Sequence, residues 1–508
     1  MKHFILALAL FFFAIKETNA QFKVIAETKK FSEPAYMSEI IQMKNGNTAL
    51  LSLNSGGFDI RIYDAGHNEK ANSGIPSVSL KSVMIENVFE INGDIILFLS
   101  GFDDGNIPTI TRFIIDANTG KQKEQKILAT SDKRGKFNNT SASFTVKKDP
   151  ASDHYAIGIY HILRDEREKR VEVIQYDGQH AETKRTFLVS DDKDDYKFFV
   201  MMDMIIVDAN RVNVFLYNGK EKYYSSTKKG RLVMATINSK TANPIYTVIN
   251  LPEEIKFSLC TAVYNPENKK IYVLVAEERH KDDPIQQYYI KIDAQTNKND
   301  VIPFKRINEE VNKNYRDKYS IDADFFGSFR ELHINKDESF TVIYEIRFAY
   351  TATGGGMGFG SSGTTSTFYS GKILVVDYTK QAQVAAAWFA PKLYIVDTYS
   401  PYKIFKYINT GKSRYLCFND TERNNDVQKD KFVEIRAVGE MDAFYNTLTG
   451  TNNFPKREYI FGDKEKGHEL LAFGTSNYNI EKNVLVTLRL SKESPSDREV
   501  SLIWLQPQ

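Results

Sequence analysis

Six times between residues 60 and 380 an alternating apolar strand runs into a turn built on Asp or Asn. The copies are IRIYDAG (60–66), RFIIDANTG (112–120), EVIQYDG (172–178), VMATINS (233–239), YIKIDAQTN (289–297) and ILVVDYTK (373–380). Their turn residues, Asp64, Asp116, Asp177, Asn238, Asp293 and Asp377, are 52, 61, 61, 55 and 84 residues apart. The last interval contains two insertions, 305–320 and 351–367. Ahead of each copy stands a hairpin with a polar turn: 40–53, 89–100, 145–160, 205–217, 262–275 and 332–346, with a seventh at 406–418. Asn45-Gly46 and Asn92-Gly93 are strong hairpin signals, because the tightest two-residue turns need positive φ at both positions. A weaker eighth unit follows at 458–473, with strands NVLVTLRL and EVSLIWL behind it.

Each unit therefore reads strand, tight turn, strand, variable loop, strand, Asp turn, strand. One small sheet of this kind has two apolar faces and cannot bury both alone. Radial stacking against neighbours covers them, and closing the ring leaves only short edges. The expected fold class is all-β, a β-propeller of seven or eight four-stranded blades, with eight units counted. The competing architecture is a pair of packed β-sandwiches. The strand FKVIAET (22–28) is placed to complete the last blade beside the C-terminal strand. The pattern resembles the WD40-like propellers, and DANTGK (116–121) resembles the turn between the third and fourth strands of their blades. The Trp-Asp and Gly-His marks of the strict family are missing.

Composition agrees. Of 508 residues, 34 are Phe and 28 Tyr, types that favour pleated half-buried surfaces. The 67 Lys and Arg nearly cancel 65 Asp and Glu, which argues against nucleic acid as a partner. Lys2, the apolar run Phe4 to Ile15 and the small residues Thr18 and Ala20 form the pattern of a secretory signal spanning 1–20, cut before Gln21. The run is shorter than the ~20 apolar residues that cross a bilayer, and no transmembrane segment is expected. Residues 21–508 are then one propeller domain, exported, and periplasmic or at the cell surface. The style of the sequence resembles exported proteins of the Bacteroidota. Cys260 and Cys417 fall in different units and are expected as free buried thiols. Ile307, Val311 and Tyr315, at i, i+4 and i+8, predict a short amphipathic helix in the first insertion.

In a four-stranded blade the first and third turns share one end of the ring, and the remaining connections share the other. The long connections, 101–108, 164–170, 218–231, 277–287, 305–319, 351–367 and 419–430, all fall on the second end. Long loops on a rigid scaffold are where binding usually resides. Two candidate docking features lie there: a basic sector of Arg164, Arg167, Arg170, Lys228, Lys229 and Arg231 interleaved with Tyr223 and Tyr224, and a Gly-rich loop carrying Met357 and Phe359. The expected partner is another envelope protein or a surface glycan.

Catalytic and cofactor motifs are few. Gly358 to Gly363 matches GxGxxG, but a strand follows where the dinucleotide motif needs a helix. There is no GxSxG elbow and no HExxH pair, and no cofactor or metal is expected. The reading is an exported, non-catalytic binding scaffold of the bacterial envelope. One alternative is a periplasmic accessory or plug of an outer-membrane secretion complex; another is a propeller lyase or glycosidase working at the axial mouth.

Overall fold

The computed structural model describes residues 22–34, 37–54, 57–76, 80–132, 142–162, 167–190, 195–220, 229–256, 258–277, 287–319, 324–353, 364–392, 394–396, 402, 404–424, 441–450, 453–462, 469–491 and 498–508. They form eight antiparallel sheets, each built on a four-stranded meander, seven of them in chain order, arranged as the blades of a β-propeller; a short fifth strand, Phe31–Ser32, Ile255–Lys256 or Tyr394–Val396, is added to blades 8, 4 and 6. Blades 1 to 7 begin at Ser38, Lys81, Ala142, Phe198, Ser258, Ser328 and Lys406. Blade 8 takes three strands from the end of the chain, Glu469–Asn479, Val484–Ser491 and Glu499–Pro507. Its outer strand is Phe22–Glu27, from the start of the described chain, running antiparallel to Glu499–Pro507. The first strands of successive blades touch one another from blade 7 through blades 8 and 1 to blade 6, and they form the inner wall of the ring.

The central strands explain the ring. In blade 2, Ile95, Ile96, Leu97, Phe98 and Leu99 are all fully buried although successive side chains point to opposite faces. Ile95, Leu97 and Leu99 join Ala49, Leu51, Phe58 and Ile60 of blade 1 in one core. Ile96 and Phe98 join Ile157, Ile159 and Ile174 of blade 3 in another. The core is thus a set of layers between blades, and each fully buried side chain of this size contributes about 1.5–3 kcal/mol.

The turns are built as the sequence specifies, with two differences. Oδ1 of Asp64, Asp116, Asp177 and Asp293 accepts backbone N–H groups two to four residues on, at 2.7–3.0 Å. Asp377 does not. It accepts from Thr341 Oγ1 at 2.7 Å and pairs with Arg414 of blade 7, while Thr379 Oγ1 accepts from the N–H groups of its turn. The two Asn-Gly turns also part company. Asn92 and Gly93 both have positive φ, whereas only Gly46 does in the longer 43–47 turn.

Helix α1 (Glu309–Tyr319) is the expected helix, and Val311, Tyr315 and Tyr319 are buried along one side. Asn308 Oδ1 accepts from the Val311 N–H at 2.9 Å and caps it. Tyr315 packs on Phe325 and Phe389, and Tyr319 on Phe454. This insertion is therefore a packed cap reaching blades 6 and 7. Cys260 and Cys417 are free thiols on blades 5 and 7, half-buried and buried.

Candidate functional site: the loop-bearing end

The two ends of the ring differ strongly. On one end the connections are short: 43–47, 92–93, 149–154, 209–210, 266–269, 335–339, 410–413 and 480–483, then 64–68, 116–121, 177–181, 239–244, 294–298 and 379–383. The longest there is 448–456. On the other end lie 131–141, 162–170, 189–197, 220–228, 278–286, 305–327, 391–405 and 421–441, together with the short connections 55–56, 77–80 and 103–107, the last a five-residue turn where a long loop is expected over 101–108. Here the two middle strands of blade 6, Phe340–Thr353 and Thr364–Tyr378, stay paired as far as Thr353 and Thr364. The Gly-rich loop thus stands on a hairpin arm longer than any other paired strands of the ring described here. Met357 and Phe359 lie outside the described residues.

The basic sector is assembled only in part. Arg164, Tyr223, Tyr224 and Lys228 lie outside the described residues, and Arg167 begins the single turn Arg167–Lys169. Arg170 is buried: its guanidinium donates to Tyr160 Oη at 3.1 Å and to the Ile162 carbonyl at 2.9 Å. It holds the 162–170 connection down. Arg231 and Lys220 come together around a residue not foreseen, Tyr196, whereas Lys229 is placed only against Glu253. Arg231 stacks 4.1 Å and Lys220 4.8 Å from the Tyr196 ring centroid. The Tyr196 hydroxyl donates to Glu254, and Lys229 lies 3.7 Å from Glu253. This patch joins blade 4 to its neighbouring connections and carries its own counter-charges.

A buried ionic chain crosses from blade 6 to blade 7 near the same end. Glu345 receives Lys392 Nζ at 2.6 Å and Arg347 Nε at 2.5 Å, with Arg330 at 3.4 Å. Asp420 receives Arg457 at 2.7 Å, and its other oxygen accepts from Asn424 Nδ2 and the Thr421 N–H. Glu345, Lys392 and Asp420 are fully buried. Burial pushes the Lys392 ammonium down against the pull of Glu345, and pushes Asp420 up against Arg457. These groups hold the feet of the 391–405 and 421–441 connections. Sequence reasoning missed them; the available signal was a charge inside an apolar strand, as in YEIRF and RYLCFND.

Ser131, His161 and Glu172 form a second buried line. Ser131 Oγ is 2.7 Å from His161 Nδ1, and His161 Nε2 is 3.0 Å from Glu172, which also pairs with Arg185. The order resembles a nucleophile, base and acid. The Ser131 N–H, however, is given to the Pro108 carbonyl and the His161 N–H to the Arg170 carbonyl. Neither can stabilise an oxyanion, and the line ties blade 2 to blade 3.

On the inner wall, Asp203 of blade 4 pairs with Lys147 of blade 3 at 3.1 Å and accepts from the Ala262 N–H of blade 5 at 2.9 Å. Glu331 and His333 pair at 2.8 Å on blade 6. The Glu39 carboxyl of blade 1 is pushed up to about 7 by burial, with Lys406 pulling the other way. Among the described residues no group of three or more His, Cys, Asp or Glu is placed to hold a metal ion. No helix among them is long and apolar enough to cross a membrane.

No family model and no curated protein matches the chain. Solved structures of similar shape include prolyl oligopeptidase B from Galerina marginata, at 9% identity and TM-score 0.42, with 94% of this chain and 56% of that chain covered. Polysaccharide lyase Uly1 gives 10% and 0.40, covering 87% and 92%. A protein of unknown function from Bacteroides caccae gives 10% and 0.27, covering 67% and 93%. The chain spans little more than half the length of the oligopeptidase.

Proposed function

We propose that the protein is an exported, non-catalytic binding scaffold of the bacterial envelope, and that its loop-bearing end docks on another envelope protein. The observation that carries this is the segregation of long connections, including the blade 6 arm, onto one end of a rigid ring. The feet of those connections are fixed by the buried charges around Glu345 and Asp420, which suits a preorganised surface. The patch at Lys229 and Arg231 is met by Glu253 and Glu254, so it fits a mixed-charge protein surface better than a polyanionic glycan. Residues 1–20 support export.

The test is capture of partners from envelope fractions by the tagged protein. A form with 354–363 replaced by a two-residue turn, and a Lys229→Glu/Arg231→Glu form, should each lose the partner that the native protein retains. Retention by both would refute the docking face. Mass spectrometry of the purified protein should find its N-terminus at Gln21.

A further inference from the structure

Two guanidinium groups at the foot of the blade 6 arm share one carboxylate oxygen. Arg330, on the inner strand Ser328–Ile334, and Arg347, where the arm leaves the ring, both approach Glu345 Oε2 through Nε, at 3.4 and 2.5 Å. Lys392 Nζ holds the other oxygen at 2.6 Å. Three cations thus surround one acid, and the next acid along, Asp420, is matched by Arg457. Among the described residues neither arginine pairs with another carboxylate, and the Arg330 Nε has no hydrogen-bond acceptor. Burial and the Arg347 charge hold the Arg330 guanidinium below the ordinary arginine value, and Glu345 offsets them only in part.

The backbone builds this convergence. From Phe329 to Glu331 the inner strand advances two residues while its partner moves only from Tyr344 to Ile343, so Arg330 is the extra residue of a β-bulge. The register slips again between Glu345 and Arg347. A Cβ at Gly327 would stand 2.9 Å from the Glu345 carbonyl carbon, so glycine lets the strand start this close to its neighbour. Bulges re-aim side chains, and they recur beside binding and catalytic sites. Glu345 beneath is fully buried, whereas the Arg330 and Arg347 side chains are 27% and 34% exposed, so the excess positive charge is reachable from solvent.

We infer that Arg330 and Arg347 bind a single carboxylate group brought by the docked protein, from an acidic side chain or its C-terminus. This rests on the docking proposed above for the loop-bearing end. Guanidinium forks match a carboxylate in plane, two N–H groups to two oxygens. Charge selects the anion. The cluster has an excess of two positive charges with Lys392 protonated, and burial aided by Arg347 pushes that ammonium down, towards an excess of one. A carboxylate supplies one negative charge. A phosphate supplies about −1.5 to −2 and sets it against Glu345.

Phenylglyoxal modification of the full exported chain is the test, each arginine being followed by peptide mass spectrometry at fixed ionic strength. N-acetylglutamate amide and N-acetylglycine, with a side-chain and a terminal carboxylate, should slow modification of Arg330 and Arg347 by about threefold or more. Arg498, 60% exposed and already paired with Glu33, should be unaffected. Inorganic phosphate should protect less, and Arg347→Gln should remove the protection at Arg330. No protection by either carboxylate, equal protection by phosphate, or protection of Arg330 that survives Arg347→Gln would each overturn the inference. Protection by a galacturonate oligomer and by neither amino-acid probe would assign the site to a glycan, and would overturn it too. Capture of the envelope partner by Arg347→Gln at the native level would overturn it while the docking face stands. Failure of the native protein to capture any partner, with both arginines still protected, would instead refute the docking face and leave the carboxylate site in place.

Discussion

Trp504, near the end of the chain, stands edge-on to Tyr63 of blade 1, with ring centroids 5.6 Å apart and planes at 75°. Its indole N–H donates to Thr48 Oγ1 at 3.2 Å. This contact closes the seam between blade 8 and blade 1. It is made by a strand that also carries the N-terminal strand Phe22–Glu27 along its other side. Closure is therefore a joint property of the two ends of the sequence.

Trp504→Ala is expected to destabilise the protein by about 3–5 kcal/mol, the cost of removing a buried aromatic. Denaturant unfolding measures this directly. Trp504→Phe should cost less, since it keeps the edge contact with Tyr63 and loses the hydrogen bond to Thr48.

Arg457→Met leaves Asp420 buried without its cation, and should cost about 3–5 kcal/mol. Lys229→Met, at an exposed pair, should change stability by less than about 1 kcal/mol. Comparing the two in the same unfolding assay separates the buried chain from the surface patch.

Glu39 gives a pH signature. Its carboxyl holds a proton more tightly in the folded state, near 7, than at the ordinary glutamate value of 4.5. The stability this contributes is fully present below 4.5 and is lost as pH rises through 7. Glu39→Gln should therefore stabilise the protein by about 2 kcal/mol at pH 8 relative to its effect at pH 4, a figure reduced for partial solvent access. Melting curves at the two pH values check it.

Burial raises both the Cys260 and Cys417 thiols above the ordinary cysteine range. At neutral pH both should resist a thiol reagent in the native protein, and two equivalents should react once it is unfolded in denaturant.

Much of the fold was legible because propeller blades repeat their local chemistry. Asp64, Asp116, Asp177 and Asp293 each accept from the N–H groups of their own turn, as short-range turn rules require. The exceptions come from contacts between blades. Asp377 has the same sequence context, but Arg414 of the next blade claims it, and Thr379 takes over the turn. Candidate site residues were less legible for the same reason. A basic run cannot reveal that Arg170 turns inward onto Tyr160, or that Tyr196, distant in sequence, supplies the ring for Arg231. Glu345, a charge in an alternating strand, reads as solvent-facing until Lys392 arrives from another connection.

The most direct measurement of the docking account is photo-crosslinking in living cells from single positions on the two ends of the ring. A reactive residue at Lys220 or Lys229 samples the loop-bearing end, and one at Asn118 or Gln295 samples the short-turn end. The account predicts a discrete adduct to one envelope protein from the first pair and none from the second. Adducts from Asn118 and Gln295, with none from Lys220 and Lys229, would contradict it.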